Sequence, residues 1–234
     1  MNFKSHIPNF ITVLNLISGS FAVILLFRGF LTEAALFIGL AAVLDFLDGF
    51  VAKLLNAKSI IGKELDSLAD VVSFGLVPAL FLFLLMENSV RENASNLINA
   101  IPYIALAIAG FSALRLAKFN IDTRQTLSFL GLPTPANAIL LISFVIVAFN
   151  SKDSAIGILF SNTILQVIVV FISCYLLVSE IPMFSLKFKT FGLKGNEIRY
   201  AFLLIAAALI IGLGWVGIFL TIIVYILMSL IFNR

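Results

Sequence analysis

The chain has 234 residues, 62% of them hydrophobic and only 12% charged, where a soluble domain carries about 25% charged residues. This excludes an ordinary soluble globular domain, and a net charge of +3 without a dense basic run gives no footing for nucleic acid. One cysteine, Cys174, leaves no partner for an intramolecular disulfide. Residues 2–8, with Lys4 and His6 against Phe3 and Ile7, read as a short segment at the membrane interface. Apolar runs then follow at 10–28, 32–55, 64–86, 99–118, 134–149, 155–178, 199–213 and 215–232. Several approach the ~20 residues that cross a bilayer. The expected fold is therefore all-α, a polytopic membrane helical bundle of about eight spans forming one domain over 1–234. No small-x-small cleavage pattern follows the first run, so it reads as a retained span. Pro78 is expected to kink the third span, and Pro133 and Pro135 to shape the start of the fifth.

Two connections are long, 119–133 and 179–198. The string Gly212-x-Gly214-x-x-Gly217 matches a dinucleotide-binding fingerprint as text, but no strand precedes it and it lies between apolar runs. It reads as the turn between spans seven and eight. His6, the lone histidine, has no neighbouring ligand residues and reads as interfacial. Asn93-Ala94-Ser95 fits a glycosylation acceptor, set aside because a bacterial or archaeal setting is expected.

Orientation follows from the basic residues. With eight spans, one side holds Lys4, Lys53, Lys58, Lys63, Arg115, Lys118, Arg124, Lys187, Lys189, Lys194, Arg199 and Arg234; the other holds Arg28, Arg91 and Lys152. Both termini are accordingly expected in the cytoplasm.

Against this apolar background stand four aspartates: Asp45-x-x-Asp48-Gly49, then Gly62-x-x-x-Asp66-x-x-x-Asp70. A carboxylate beside hydrocarbon costs several kcal/mol, so such residues are rare and mark function. Spacings of three and four put each pair on one helix face. The orientation above sets both pairs at the cytoplasmic ends of spans two and three. Four carboxylates in one cavity call for a shared cation, and Mg²⁺ binds through carboxylates together with substrate phosphates. The bland alternative is pairing with Lys53, Lys58 and Lys63 at the interface. A second functional class is a cation transporter, but coupling-ion sites usually lie near the midplane between repeats, and no repeat is visible.

The pattern Asp45, Asp48, Gly49, Ala52, Lys53, Gly62, Asp66, Asp70 resembles the signature of the CDP-alcohol phosphatidyltransferases with every spacing kept. Lys53 departs from it, since the family usually has arginine there; lysine keeps the charge and loses the planar fork. The resemblance implies a membrane enzyme in which an acceptor hydroxyl attacks the β-phosphate of a CDP-linked lipid and CMP leaves. It implies two divalent cations, Mg²⁺ or Mn²⁺, on Asp45, Asp48, Asp66 and Asp70, with Asp70 also the base. It places Gly49, Lys53 and Ser59, together with Asn9 and Thr12 of Pro8-Asn9-x-x-Thr12, at the CDP-lipid. The catalytic core would span about 1–178, with two further spans over 199–232. A homodimer is the family expectation.

Three segments resemble the phosphatidylserine synthase branch: Leu65–Gly75, Arg115–Asn120 and Gly131–Ala138. This branch implies CDP-diacylglycerol as donor and L-serine as acceptor; glycerol phosphate or inositol phosphate is the alternative. The basic residues Arg115, Lys118 and Arg124, with Asn120, are the candidate acceptor contacts, because arginine can grip a carboxylate through two parallel hydrogen bonds. Positive-inside anchoring remains the plain reading of the three cations, and helix capping that of Asn120.

Overall fold

The computed structural model describes residues 3–57, 59–91, 98–122, 129–184, 192 and 195–232. The chain is an integral membrane protein built from helices, because a helix pairs its own backbone groups where no water can. α1 (Phe3–Phe27) and α2 (Leu31–Leu54) form an antiparallel pair joined at Gly29, whose φ of 82° suits glycine. The segment expected at the interface is continuous with span one, as the first turns of α1.

Span three is a single helical column from Ile60 to Val90, 31 residues, hence about 46 Å long at 1.5 Å per residue. It is longer than the ~30 Å hydrocarbon core of a bilayer. The column comprises α3 (Ile60–Asp70), a π-helical segment (Val71–Leu76) and α4 (Val77–Arg91). The irregularity expected at Pro78 takes the form of this wide turn: proline has no N–H to give the carbonyl four residues back and its ring crowds that group. Span four likewise starts as a 3₁₀ segment (Ile98–Leu106) containing Pro102 and continues as α5 (Ala107–Ile121).

α6 (Thr134–Asn150) is the central helix; Leu140 through Ala148 are all buried. It packs against α4, the π segment and α10. The run expected as one span over 155–178 is two helices, α7 (Ala155–Phe160) and α8 (Thr163–Val178). Asn162 makes the break: its Oδ1 accepts from the backbone N–H of Ile164 at 3.0 Å and Leu165 at 3.1 Å, satisfying two orphan donors at a helix start.

α9 (Glu197–Leu213) and α10 (Trp215–Phe232) form a hairpin around Gly214, φ 55°. The glycine string is thus a turn, as read, and Gly217 packs directly on the Leu209 carbonyl. At the start of α9, Glu197 accepts from the Gly195 N–H, which holds its carboxyl below the usual carboxylate range. Among the described residues five helices are long and apolar enough to span a bilayer, and Thr134–Asn150 and Thr163–Val178 are shorter apolar helices.

The two long connections meet. β1 (Phe129–Leu130) and β2 (Pro182–Met183) pair antiparallel, Phe129 opposite Met183, the one departure from an all-helical chain among the described residues. Gly131, φ 74°, donates to the Ile181 carbonyl at 2.9 Å, and the Leu132 N–H to the Leu176 carbonyl at 2.8 Å. A Cβ at position 131 would meet three carbonyl oxygens at 2.8–3.0 Å, so only glycine fits. Beside this strap, Leu132, Met183, Phe184, Phe202 and Tyr225 form a second small core.

Candidate active site

α2 delivers Asp45 and Asp48 from about two turns before its C-terminus, and α3 delivers Asp66 and Asp70 from its second and third turns. The chain between them turns at Asn56, φ 48°, and the Ala57 N–H returns to the Ala52 carbonyl. One carboxylate oxygen from each of Asp45, Asp48 and Asp66 lies within 4.8 Å of the others. Asp45 and Asp66 are within hydrogen-bond reach of each other. Asp70, 6% exposed, lies one turn after Asp66 on α3 and within electrostatic range of all three.

α1 supplies the support. The Thr12 hydroxyl sits 2.5 Å from Asp48 Oδ2 and 3.1 Å from the Pro8 carbonyl. One turn on, Asn15 Nδ2 donates to Asp70 Oδ1 at 3.3 Å. Ser73 Oγ donates to the Asn15 carbonyl at 3.2 Å, and Gly19 lets α1 lie directly on Ser73. Thr12, read from the sequence as a CDP-lipid residue, is thus placed on a carboxylate. Asn15 went unread, although it is the only amide within 10–28, and a polar side chain inside a span is itself a signal.

The donor set fits a metal. Asp66 Oδ1 is buried and has no hydrogen-bond partner, and a cluster of carboxylate oxygens suits a hard divalent cation. Asp45, Asp48 and Asp66 lie close enough to bind one.

Of the expected CDP-lipid residues, Asn9 and Ser59 come together at Gly62. Ser59 caps α3 by accepting from the Gly62 N–H at 2.9 Å. Asn9 Oδ1 comes to the same spot, 2.8 Å from where a Cβ on residue 62 would lie. Glycine at 62 therefore lets Asn9 and Ser59 converge. Gly49 is exposed beside Asp48, with open space where its Cβ would be, and Lys53 is exposed one turn beyond.

Arg115 of α5 is 7% exposed. Its guanidinium lies 5.8 Å from the Phe119 ring centroid and within electrostatic range of Asp70, Tyr225 and Asp45. It borders a small cavity with Lys118, Leu130 and Leu177. Arg115 Nε has no protein partner. Asn120 reaches α3: its Nδ2 donates to Ser67 Oγ at 2.8 Å, and its carbonyl accepts from Lys63 Nζ at 2.5 Å. It ties α5 to α3, and it directs Lys63 to a carbonyl. Arg124 and Lys58 lie outside the described residues, as do Lys187, Lys189, Lys194, Arg234 and the Asn93-Ala94-Ser95 string.

The chain belongs to the CDP-alcohol phosphatidyltransferase family, whose profile matches residues 5–179. It is 34% identical over 163 residues to the archaetidylserine synthase of Methanothermobacter thermautotrophicus, a match covering 69% of this chain and 66% of that protein. It is 36% identical over 155 residues to the CDP-diacylglycerol–serine O-phosphatidyltransferase of Bacillus subtilis, covering 65% of this chain and 82% of the relative. The enzyme of the same name from Methanocaldococcus jannaschii is 40% identical over 138 residues, 59% of each chain. The matched part thus falls short of two thirds of the two archaeal relatives.

Proposed function

We propose that this chain transfers the phosphatidyl group of CDP-diacylglycerol to the hydroxyl of L-serine, giving phosphatidylserine and CMP. The observation that carries the reading is the cluster of Asp45, Asp48 and Asp66, with Asp70 and the buried Arg115 in electrostatic range of it: carboxylates for a phosphoryl centre, and a cation for an acceptor carboxylate. The names of the relatives supply the serine. Glycerol phosphate or inositol phosphate would use the same chemistry, and the names favour neither. Membership of this family also disfavours the transporter reading.

Asp45, Asp48, Asp66 and Asp70 would hold two divalent cations, Mg²⁺ or Mn²⁺, which when bound supply charge stabilisation at the phosphoryl oxygens. Thr12 fixes the rotamer of Asp48 by its hydroxyl. Asn15 does the same for Asp70 and leaves the second carboxylate oxygen free to act. Asp70 takes the serine hydroxyl proton as that oxygen bonds to the β-phosphorus and the bond from phosphorus to the CMP oxygen breaks. Arg115 holds the serine carboxylate through its guanidinium edge, with Lys118 at the cavity rim and Arg124 in the same role. Asn120, through Ser67, keeps α5 against α3 so that Arg115 and Asp70 stay in register. Asn9, Ser59, Gly49 and Lys53 receive the CDP moiety. Lysine there meets phosphate as a point charge.

The chain acts as one unit, with a catalytic core of about 1–178 and the 199–232 hairpin against it. It sits in a bacterial or archaeal cell membrane, among lipids that also bring the donor. Both termini and the site face the cytoplasm, following the basic residues, and the working form is a homodimer. The test is purified protein with CDP-diacylglycerol and a panel of acceptor alcohols, read by CMP release. Serine should give the highest kcat/KM; faster release with glycerol phosphate or inositol phosphate would reassign the acceptor.

A further inference from the structure

A cavity of about 540 Å³ lies among the C-terminal part of α4, the end of α6, α7 and the start of α8. Ser89, in its wall, stands about 28 Å beyond Asp70 along the same helical column, at 1.5 Å per residue. The cavity is therefore a separate place from the aspartate site. Phe149, Ile158 and Ile164 give it an apolar side, and Ser89, Ser161 and Thr163 a polar one. The break between α7 and α8 supplies much of the polar side. Lys152, just past the end of α6, is the one charged residue in the lining, its Nζ 5.4 Å from the Phe149 ring centroid. A second cavity of about 400 Å³ adjoins through Asn88 and Phe149, which line both; the acid Glu87 belongs to that neighbour.

Gln166, one turn into α8, is fully buried. Its Nε2 donates to Ser89 Oγ and to the Phe160 carbonyl, both at 3.0 Å. A carbonyl only accepts, so the amide nitrogen must face Phe160 and the amide oxygen is the other end. That oxygen, Oε1, has no hydrogen-bond partner. The Ser89 hydroxyl cannot serve it, because it donates to the Leu85 carbonyl at 2.9 Å. An unsatisfied acceptor thus belongs to the same carboxamide that bonds the cavity wall, and buried orphans of this kind are few and require a reason. Helix ends gather here: α4 ends at Arg91, α6 at Asn150, and α8 begins at Thr163. Trp215, the only tryptophan, starts α10 close to Phe219, whose ring centroid is 5.2 Å from that of Phe160. Tryptophan favours the boundary between lipid and water.

We propose that this cavity holds the headgroup of a phospholipid from the leaflet remote from the aspartates, with its phosphodiester at Lys152 and a headgroup hydroxyl or amine donating to Gln166. The inference goes beyond the transferase reading and does not depend on it. One cation without a carboxylate in the same lining complements the single charge of a phosphodiester. The orphan acceptor calls for a donor, which separates a glycerol headgroup from one with no O–H or N–H. Ile158 and Ile164 are exposed beside the polar wall and meet the start of an acyl chain. The volume falls within the range of about 300–1,000 Å³ usual for ligand pockets. A soluble phosphate ester shares the headgroup's chemistry and lacks the chain, so the experiment includes one.

The full chain, purified in a neutral detergent, is titrated with phosphatidylglycerol, phosphatidylmethanol and glycerol 3-phosphate, and bound lipid is counted by native mass spectrometry. Wild type should bind phosphatidylglycerol saturably, and at least about threefold more tightly than phosphatidylmethanol, the worth of one hydrogen bond. Lys152→Gln should weaken phosphatidylglycerol about fivefold, the contribution of one lysine at a lipid phosphate. Asn88→Trp, which fills the mouth shared by the two cavities, should weaken it at least as much. Lys4→Gln, which removes a charge at the start of α1, should leave it close to the wild-type value. Glycerol 3-phosphate should not compete at concentrations where the lipid saturates. Lys152 and Asn88 are exposed, so both variants should melt within about 2 °C of wild type without lipid; if Asn88→Trp does not, Lys152→Gln decides. Wild-type affinity in Lys152→Gln, or an equal loss in Lys4→Gln, would overturn the site and leave general attraction of anionic lipid. Equal binding of phosphatidylglycerol and phosphatidylmethanol would overturn the role of Gln166, and competition by glycerol 3-phosphate would make the occupant a soluble anion. Binding is read without CMP release, so failure here leaves the transferase reading standing, and failure of that reading leaves this result intact.

Discussion

The contact of Thr12 with Asp48 yields the most exacting prediction. The two groups are 3% and 6% exposed, so water cannot replace a lost donor. At 2.5 Å the distance falls in the range of a hydroxyl bonded to an ionised carboxylate. Such bonds contribute about 1.5–3 kcal/mol. Thr12→Val keeps the shape and removes the donor. With about 1.4 kcal/mol per factor of ten, the loss is about 10- to 100-fold, the scale seen when a partner that orients a metal ligand is removed. The expected result is a shift of that size in the Mn²⁺ concentration giving half-maximal CMP release, matched by weaker Mn²⁺ binding in electron paramagnetic resonance titration. Thr12→Ser should stay within about threefold of wild type. The reasoning is refuted if Thr12→Val keeps the wild-type metal dependence, or if Thr12→Ser loses as much as Thr12→Val.

Three further outcomes follow from the same geometry. Gly62→Ala puts a methyl group 2.8 Å from Asn9 Oδ1 and 2.9 Å from Ser59 Oγ; both must move, so CMP should stabilise the variant less in a thermal-shift assay and the CDP-diacylglycerol KM should rise several-fold, whereas wild-type values would separate Asn9 and Ser59 from the nucleotide. Asp70→Asn should retain CMP-dependent thermal stabilisation and lose at least about 100-fold in turnover, the lower end for a removed general base; near-normal turnover would end the base assignment. In a background without Cys174, Asn56→Cys should react with a membrane-impermeant thiol reagent only in inverted vesicles, and labelling from outside the cell would reverse the orientation.

Hydropathy made the spanning runs legible because lipid leaves few alternatives to an apolar helix. The aspartate motif was legible because eight positions hold fixed spacings across two helix ends. The internal breaks were harder. The Ser161–Asn162 interruption is a side chain outcompeting the helix backbone for its own N–H groups, within an otherwise apolar stretch. The π segment before Pro78 is one of several ways a helix absorbs a proline, and composition alone does not choose among them. Partners across the fold were illegible. Nothing near Thr12 or Asn15 in sequence says that one meets Asp48 and the other Asp70, 36 and 55 residues away. The bond from Asn120 to Ser67, 53 residues away, is likewise set by tertiary packing alone.

The account turns on whether the aspartate cluster performs metal-dependent transfer to serine. The direct measurement is the yield of CMP and of phosphatidylserine from purified protein given CDP-diacylglycerol, labelled L-serine and Mg²⁺ or Mn²⁺. The account predicts one CMP for each phosphatidylserine, loss of both in EDTA, and recovery of both when either cation is restored. Phosphatidylserine formed at the full rate in EDTA, or CMP released without labelled lipid, would contradict it.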